Sequence, residues 1–158
     1  MKHSQEVARL LTQKKRTLGL AESCTGGLLS HSLTNIPGSS AFFKLGIVAY
    51  ANEAKEKLLG VSPAMLKKHG AVSFPVIRQM ARGVRSQLKT DLGLAISGIA
   101  GPTGATPQKP LGLTFIALCS KNKTHSFRFI FKGSRYSVKK QAAIKALAIL
   151  LRFLHGAK

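Results

Sequence analysis

The sequence predicts an α/β fold, a three-layer α/β/α sandwich with a mixed sheet of about five strands. Short apolar segments alternate with segments of helical period in the first part of the chain, as in helices packed on both faces of a sheet. Residues 92–97 are apolar at nearly every position, which is typical of a strand buried on both faces. Two later strand-like segments flank a turn at residues 120–122, so a hairpin is expected to close the sheet.

The first half of the chain is predicted to alternate between helices and strands. Val7, Leu10 and Leu11 recur at helical spacing and indicate an amphipathic first helix. The predicted elements are a helix over 4–15, a strand over 18–21, a helix to about residue 35, turn residues 36–40, a strand over 42–50 and a helix over 52–59. Asn52 is a candidate cap for the last of these helices, and Gly60 lies just beyond its end.

Two further helices are predicted between residues 62 and 89. Pro63 suits the first turn of one helix, which should end near Gly70, and Ser73 is the predicted cap of the other. The apolar stripe of this second helix comprises Ile77, Met80, Ala81, Val84 and Leu88. Another face carries the basic residues Arg78, Arg82, Arg85 and Lys89. That face is either solvated or a surface for anions.

The last part of the chain is predicted to contain strands over 92–97, 111–119 and 123–132. A final helix follows, with Ser134 as its cap and its end near residue 154. Phe127, Phe129 and Phe131 alternate with other residues, which indicates an edge strand. The final helix is apolar around much of its circumference, so we expect it to pack on the sheet and against a second subunit in a homodimer.

Composition limits the classes of protein to which the chain can belong. Its 158 residues suffice for one domain, residues 1–158, with its own core. The first 16 residues lack the apolar core of a signal peptide, and no segment is long and apolar enough to span a membrane. Cys24 and Cys119 are too few for a disulfide framework, so we expect a cytoplasmic protein without a membrane partner.

The charge balance is strongly basic. The 25 Lys and Arg residues outnumber five Asp and Glu residues, which gives a formal net charge of +20. Such a field attracts anions, including nucleic acid through non-specific contacts, or it reflects a basic solvated surface. The few acidic residues and the lack of a close Cys/His cluster argue against a metal site, and we expect neither a metal nor a cofactor.

A serine turn follows the first predicted strand. Ser23 lies between this strand and a helix, where backbone N–H donors and a partial positive charge can bind a phosphate or an oxyanion. Gly26 and Gly27 let a substrate approach the backbone closely. The alternative is that Ser23 or Thr25 merely caps the helix.

Residues 49–55 place a tyrosine and a lysine at the end of the second predicted strand, where open α/β sheets hold their binding sites. If the first two strands are neighbours, Lys55 reaches Ser23, and a Ser–Lys pair is an alternative to Ser–His–Asp. The lysine must then be neutral, which requires burial or nearby positive charge to lower its pKa. Tyr50 would relay a proton or hold the lysine, whereas the alternative for Lys55 is a surface position.

Residues 98–110 form a loop rich in glycine and proline. Gly98, Gly101 and Gly104 permit a wall of backbone amides, and Lys109 is a candidate cation for a nucleotide phosphate. The loop contains neither the G-K-[ST] of a P-loop nor G-x-G-x-x-G, so an ordinary connection between strands is the alternative.

Seven segments resemble, in chain order, those of the CinA C-terminal domain family. They are residues 21–27 (A-E-S-C-T-G-G), 37–40 (P-G-S-S), 48–55 (V-A-Y-A-N-E-A-K), 59–61 (L-G-V), 97–102 (S-G-I-A-G-P), 106–112 (T-P-Q-K-P-L-G) and 133–135 (G-S-R). The resemblance covers nearly the whole chain and implies a stand-alone nicotinamide-nucleotide amidohydrolase. Such an enzyme converts nicotinamide mononucleotide to nicotinate mononucleotide and ammonia without a metal.

The resemblance also implies a serine nucleophile with tyrosine and lysine partners, which are Ser23, Tyr50 and Lys55 in this sequence. The expected substrate-binding residues are Glu22, Cys24, Thr25, Gly26, Gly27, Gly98, Gly101, Gly104, Thr106 and Lys109. The chain departs from the family pattern at Thr103, Ala105, Gln108 and Ser134. These departures leave the three expected catalytic residues intact.

Two other functions are alternatives. A basic nucleic-acid-binding module with a vestigial amidase site fits the net charge, although the chain lacks the aromatic platforms common in single-strand binders. An esterase of the α/β-hydrolase type fits less well, because the turn lacks G-x-S-x-G and no His–acid pair is evident.

Overall fold

The computed structural model describes residues 3–156, and it confirms the predicted alternation of helices and strands. Its helices are α1 (Ser4–Gln13), α2 (Leu28–Thr34), α3 (Asn52–Leu59), α4 (Pro63–His69), α5 (Phe74–Gln87) and α6 (Arg135–Leu154). Its strands are β1 (Leu18–Glu22), β2 (Phe43–Val48), β3 (Leu92–Gly98), β4 (Leu113–Cys119) and β5 (Thr124–Ile130). A short 3-10 helix at Ser39–Ala41 precedes β2.

The five strands form one mixed sheet in the order β2-β1-β3-β4-β5 within the described residues. β1 is parallel to both β2 and β3, whereas the β3–β4 and β4–β5 pairs are antiparallel. The carboxyl ends of β1, β2 and β3 therefore lie at the same end of the sheet. The predicted mixed sheet is confirmed, and so are the hairpin and the edge position of β5.

Helices cover both faces of the sheet and complete the three predicted layers. α1, α2 and α6 share one apolar cluster with the sheet, which includes Leu11, Leu29 and Leu147. α5 packs on the other face together with α3 and α4, through residues such as Ile77 and Met80. The apolar sequence of β3 is explained by this arrangement, because six of its seven residues are buried.

Some local predictions are wrong at the helix ends. Leu88 was expected in the buried stripe of α5, but it is exposed because the helix ends at Gln87 and the backbone changes direction there. Asn52 is the first residue of α3 rather than its cap, a position that Ala51 occupies. Ser73 does precede α5, but its hydroxyl donates to the Gly70 carbonyl and accepts nothing from the helix amides.

The last helix begins and ends where the sequence predicts. The Ser134 hydroxyl accepts a hydrogen bond from the Ser137 amide and so caps α6. One side of α6 packs into the core, while Ile149 and Phe153 are half-buried beside it. The association of α6 with a second subunit stays a prediction. None of the helices within residues 3–156 has the length and apolarity needed to cross a membrane.

Candidate active site

Ser23 lies directly after β1, at the carboxyl end of the parallel part of the sheet. Its amide donates a hydrogen bond to the Ile96 carbonyl of β3, 3.0 Å away, so the neighbouring strand fixes its backbone. The residue is 8% exposed. A hydroxyl at this position can meet a small substrate, and the strand order places it where open α/β sheets form sites.

Lys55 approaches Ser23 from the next strand along the sheet. β2 pairs with β1, and α3, which follows β2, carries the lysine back over the strand ends. The Lys55 Nζ lies 3.4 Å from the Ser23 Oγ. The sequence predicted this contact on the assumption that the first two strands are neighbours, and they are. The ammonium also donates to the carbonyls of Ala49 and Tyr50, at 2.9 and 3.0 Å.

The surroundings of Lys55 favour its neutral form. The residue is 1% exposed, and burial lowers its pKa from the ordinary value of 10.5, against a smaller opposing effect of Cys24. A Ser–Lys pair was expected to need burial or nearby positive charge to lower the pKa of the lysine, and the structure shows burial. A neutral amine at this position can accept the Ser23 proton, which is the role of a general base.

Cys24 is next to Ser23, but its environment makes it a poor nucleophile. Burial raises the pKa of the Cys24 thiol to about 11, although the nearby cations Lys139 and Arg135 act in the opposite direction. The thiol is therefore protonated at neutral pH, and the thiolate is the reactive form of cysteine. This contrast favours Ser23 over Cys24 as the nucleophile of the turn.

Glu22 supports the turn from inside the protein. Its carboxylate is fully buried and accepts hydrogen bonds from the amides of Gly27, Leu29 and Ser30 and from the Ser30 hydroxyl. These bonds satisfy donors at the start of α2 that would otherwise lack acceptors. The geometry gives Glu22 a structural task, and its expected contact with the substrate stays a prediction.

Within residues 3–156, two amides of the turn donate to no other residue. The Gly26 amide donates to the Ser23 carbonyl and the Gly27 amide donates to Glu22. Among the residues that the structure describes, the amides of Cys24 and Thr25 have no such acceptor. Amides that follow a nucleophilic serine are suitable donors for the oxyanion of a tetrahedral intermediate.

Arg135 joins three parts of the site, although it was not among the predicted site residues. Its guanidinium donates to the Tyr50 hydroxyl at 2.8 Å and to the Gly101 carbonyl at 2.6 Å. It thus connects α6, the segment after β2 and the 98–110 loop. The signal was present in the G-S-R segment at residues 133–135, but the contact with Tyr50 spans 85 positions and no local pattern reveals it.

The 98–110 loop contributes to the site at one end and to the scaffold at the other. Gly101 and Gly104 have positive φ angles of 81° and 92°, which explains glycine at these positions. Thr106 and Lys109 form an isolated bridge within the loop. The Lys109 ammonium donates to the His69 carbonyl at 2.6 Å, so it ties the loop to the end of α4. Its expected contact with a phosphate stays a prediction.

The described part of the chain was searched for side chains that could bind a metal ion together. Within residues 3–156, no three His, Cys, Asp or Glu side chains come together in a group able to hold an ion.

The fold and the site define a class of α/β protein in which a serine after the first strand meets a buried lysine from the helix after the second. The family model described as the CinA C-terminal domain matches residues 1–154. The chain belongs to this family, as its sequence motifs predict.

Curated relatives are similar over most of this chain. A CinA-like protein of Syntrophus aciditrophicus is 54% identical over 149 residues, which cover 94% of this chain and 36% of the relative. A CinA-like protein of Geobacter sulfurreducens is 49% identical over 148 residues, which cover 94% of this chain and 36% of the relative. The chain thus spans about a third of the length of these relatives.

Solved structures share the whole fold. A competence-damaged protein (CinA) superfamily protein of Klebsiella pneumoniae has a TM-score of 0.94 at 34% identity, with 98% of this chain and 97% of that chain covered. A competence/damage inducible protein of Agrobacterium tumefaciens has a TM-score of 0.93 at 33% identity, with 98% and 94% covered. The predicted fold class is therefore confirmed by comparison as well as by topology.

Proposed function

We propose that the protein is a nicotinamide-nucleotide amidohydrolase that hydrolyses nicotinamide mononucleotide to nicotinate mononucleotide and ammonia. The observation on which the proposal rests is the contact between the Ser23 Oγ and the buried Nζ of Lys55, 3.4 Å apart at the carboxyl end of the sheet. The resemblance of residues 21–27 and 48–55 to the family's motifs supports the substrate class.

In the first step, the neutral amine of Lys55 accepts the hydroxyl proton of Ser23 while the Oγ attacks the carboxamide carbon. A tetrahedral intermediate forms, and in this proposal the Cys24 and Thr25 amides donate hydrogen bonds to its oxyanion. The Lys55 ammonium is held meanwhile by the carbonyls of Ala49 and Tyr50. These carbonyls keep the charged form in place without a carboxylate.

In the second step, the Lys55 ammonium gives its proton to the leaving nitrogen, the C–N bond breaks and ammonia departs. An ester remains between the Ser23 Oγ and the nicotinate carbonyl. Lys55 is neutral again and removes a proton from water, which attacks the ester. Collapse of the second intermediate releases nicotinate mononucleotide, and the proton returns from Lys55 to the Ser23 oxygen.

Tyr50 is placed at the border of the site rather than between Ser23 and Lys55. Its side chain is 59% exposed, and its hydroxyl accepts a hydrogen bond from Arg135. Its main-chain carbonyl holds the Lys55 ammonium. In this proposal Tyr50 positions the lysine through its backbone and faces the substrate with its ring.

The test is a screen for ammonia release by the purified protein. We expect release from nicotinamide mononucleotide without added metal, and much slower release from free nicotinamide and from glutamine. Hydrolysis of a panel of simple esters, measured by the release of carboxylic acid, would identify an esterase. Turnover of esters above that of the mononucleotide, or no ammonia from the mononucleotide under any condition, would contradict the proposal.

One observation favours binding of nucleic acid as a second candidate function. A groove of about 330 Å³ is lined by the basic residues Arg82, Arg85, Lys121 and Lys123. It lies at the end of the sheet away from Ser23, because Cys119 pairs with Gly93 at the start of β3. Titration with DNA and RNA at several salt concentrations tests this candidate. Absence of binding at low salt rejects it, and weak salt-sensitive binding indicates non-specific attraction.

A further inference from the structure

Lys139 reaches the nucleophile turn from the first part of α6. It lies four residues after Arg135, so both side chains point to the same side of the helix. A Cβ added to Gly26 would lie 3.5 Å from the Lys139 Nζ. The ammonium therefore lies directly beside the backbone of the turn that contains Ser23.

The Lys139 ammonium has no anionic partner in the protein. Among residues 3–156, it donates no hydrogen bond and none of the acidic side chains forms an ion pair with it. The nearby Glu22 carboxylate is already bound to amides of α2. A half-buried ammonium without a counter-charge favours an anion supplied by a ligand.

The other cations near the site have different tasks. The Arg135 guanidinium is occupied by the Tyr50 hydroxyl and the Gly101 carbonyl. The Lys109 ammonium, which the sequence suggested as a cation for a phosphate, is bound to the His69 carbonyl. Of these three cations within residues 3–156, Lys139 is thus the one that donates no hydrogen bond to the protein and keeps all its donors for a substrate.

Gly26 explains how a substrate anion could reach this lysine. The residue is exposed, and apart from its chain neighbours the Lys139 Nζ is the one described atom within 4 Å of a Cβ added to it, so the turn is open on the side of the lysine. Lys139 and Arg135 also both stabilise negative charge on the Cys24 sulfur, which indicates a positive potential at the turn. An anion here would reduce the repulsion between these two cations, which lie four residues apart on the helix.

We propose that Lys139 and the open turn at Gly26 bind the phosphate of the nucleotide substrate, and this inference rests on the proposed function above. The phosphate distinguishes the mononucleotide from the corresponding riboside and from free nicotinamide. Lys139 would then determine which carboxamides the Ser23–Lys55 pair receives, and the reacting atoms would remain with that pair. Loss of its charge should weaken substrate binding and leave the chemical step nearly unchanged.

The experiment compares ammonia release from nicotinamide mononucleotide and nicotinamide riboside by the wild-type protein, Lys139→Met and Lys139→Arg. Lys140→Met is the matched control, because Lys140 is the exposed neighbour on the same helix. We expect Lys139→Met to raise KM for the mononucleotide by about 10- to 100-fold, the range of a charge-assisted hydrogen bond, with little change in kcat. Values for the riboside should not change, Lys139→Arg should retain most of the affinity, and Lys140→Met should match the wild type.

The possible results distinguish failure of the proposed function from failure of the phosphate assignment to Lys139. If the wild type releases no ammonia from the mononucleotide, the proposed function fails whatever Lys139 does. If it is active but Lys139→Met has an unchanged KM, or weakens both substrates equally, the phosphate assignment is wrong. If Lys139→Met does not fold, inhibition of the wild type by ribose 5-phosphate and by ribose tests the assignment. We expect ribose 5-phosphate to inhibit much more strongly than ribose. Equal inhibition by the two compounds overturns the assignment.

Discussion

Two features of its environment act on the charge of Lys55 in opposite directions. Its side chain is almost completely buried, which destabilises the charged form, yet two main-chain carbonyls accept its hydrogen bonds and stabilise that form. The net effect is a lowered pKa with a fixed orientation of the amine. Both properties are required of a general base that must approach one hydroxyl and exchange a proton with it.

The pH dependence of the chemical step tests the base directly. The rate should rise with pH as Lys55 loses its proton, and the midpoint of this rise should lie below 10.5 because burial lowers the pKa. Single-turnover acylation measured against pH gives the midpoint. The residual rate of Lys55→Met should lack the rising limb, whereas Lys57→Met, a change at an exposed lysine paired with Glu53, should keep it. An unchanged limb in an active Lys55→Met variant excludes Lys55 as its source.

Glu22 should be important for stability although it lies next to the nucleophile. Glu22→Ala removes the acceptor of three amides and one hydroxyl, and we expect the free energy of unfolding to fall by about 2–4 kcal/mol. Glu53→Ala is the control, because it breaks an exposed ion pair and should cost less than about 1 kcal/mol. Urea unfolding measures both, and equal losses would show that Glu22 does not support the turn as described.

Among the elements, those with a clear local signal in the sequence were predicted most accurately. The residues of α3 were predicted with the observed ends, and β3 was predicted as a doubly covered strand because nearly all its positions are apolar. The end of α5 was missed at Leu88, since an apolar residue continued the helical period after the backbone had left the helix. Local pattern thus identifies elements better than it identifies their ends.

The site was predictable where it depends on strand order. Ser23 and Lys55 follow adjacent parallel strands, so the assumption that β1 and β2 are neighbours was enough to bring them together. The roles of Arg135 and Lys139 depend on how α6 packs across the strand ends. Such packing is set by the whole core of that face, and the spacing of residues in the chain does not reveal it.

The bridge from α6 to the segment after β2 can be tested by a double-mutant cycle. Tyr50→Phe and Arg135→Met remove the same 2.8 Å contact, so their effects on kcat/KM should overlap by about 0.5–3 kcal/mol. Tyr136→Phe removes the hydroxyl of an exposed tyrosine next to Arg135, and its combination with Arg135→Met is the control cycle. Its effect should add to that of Arg135→Met. An additive result for the Tyr50 pair as well would mean that the contact does not contribute to catalysis.

At the scale of the whole molecule, the charge and the fold act together. The net charge of +20 draws anions towards the surface in general, whereas the strand order and α6 bring particular cations to Ser23. Salt should therefore weaken non-specific attraction of polyanions strongly. The contact between Ser23 and Lys55 is buried, so dissolved salt screens it less than it screens the surface charges.

The central claim is that Ser23 and Lys55 hydrolyse the carboxamide of nicotinamide mononucleotide. The most direct measurement is the rate of ammonia release at saturating mononucleotide by the wild type, Ser23→Ala and Lys55→Ala, with thermal unfolding to confirm that each variant is folded. We predict that each variant loses activity by about a thousandfold or more, because either change removes the activated nucleophile. Release of ammonia by both folded variants at the wild-type rate would contradict the claim.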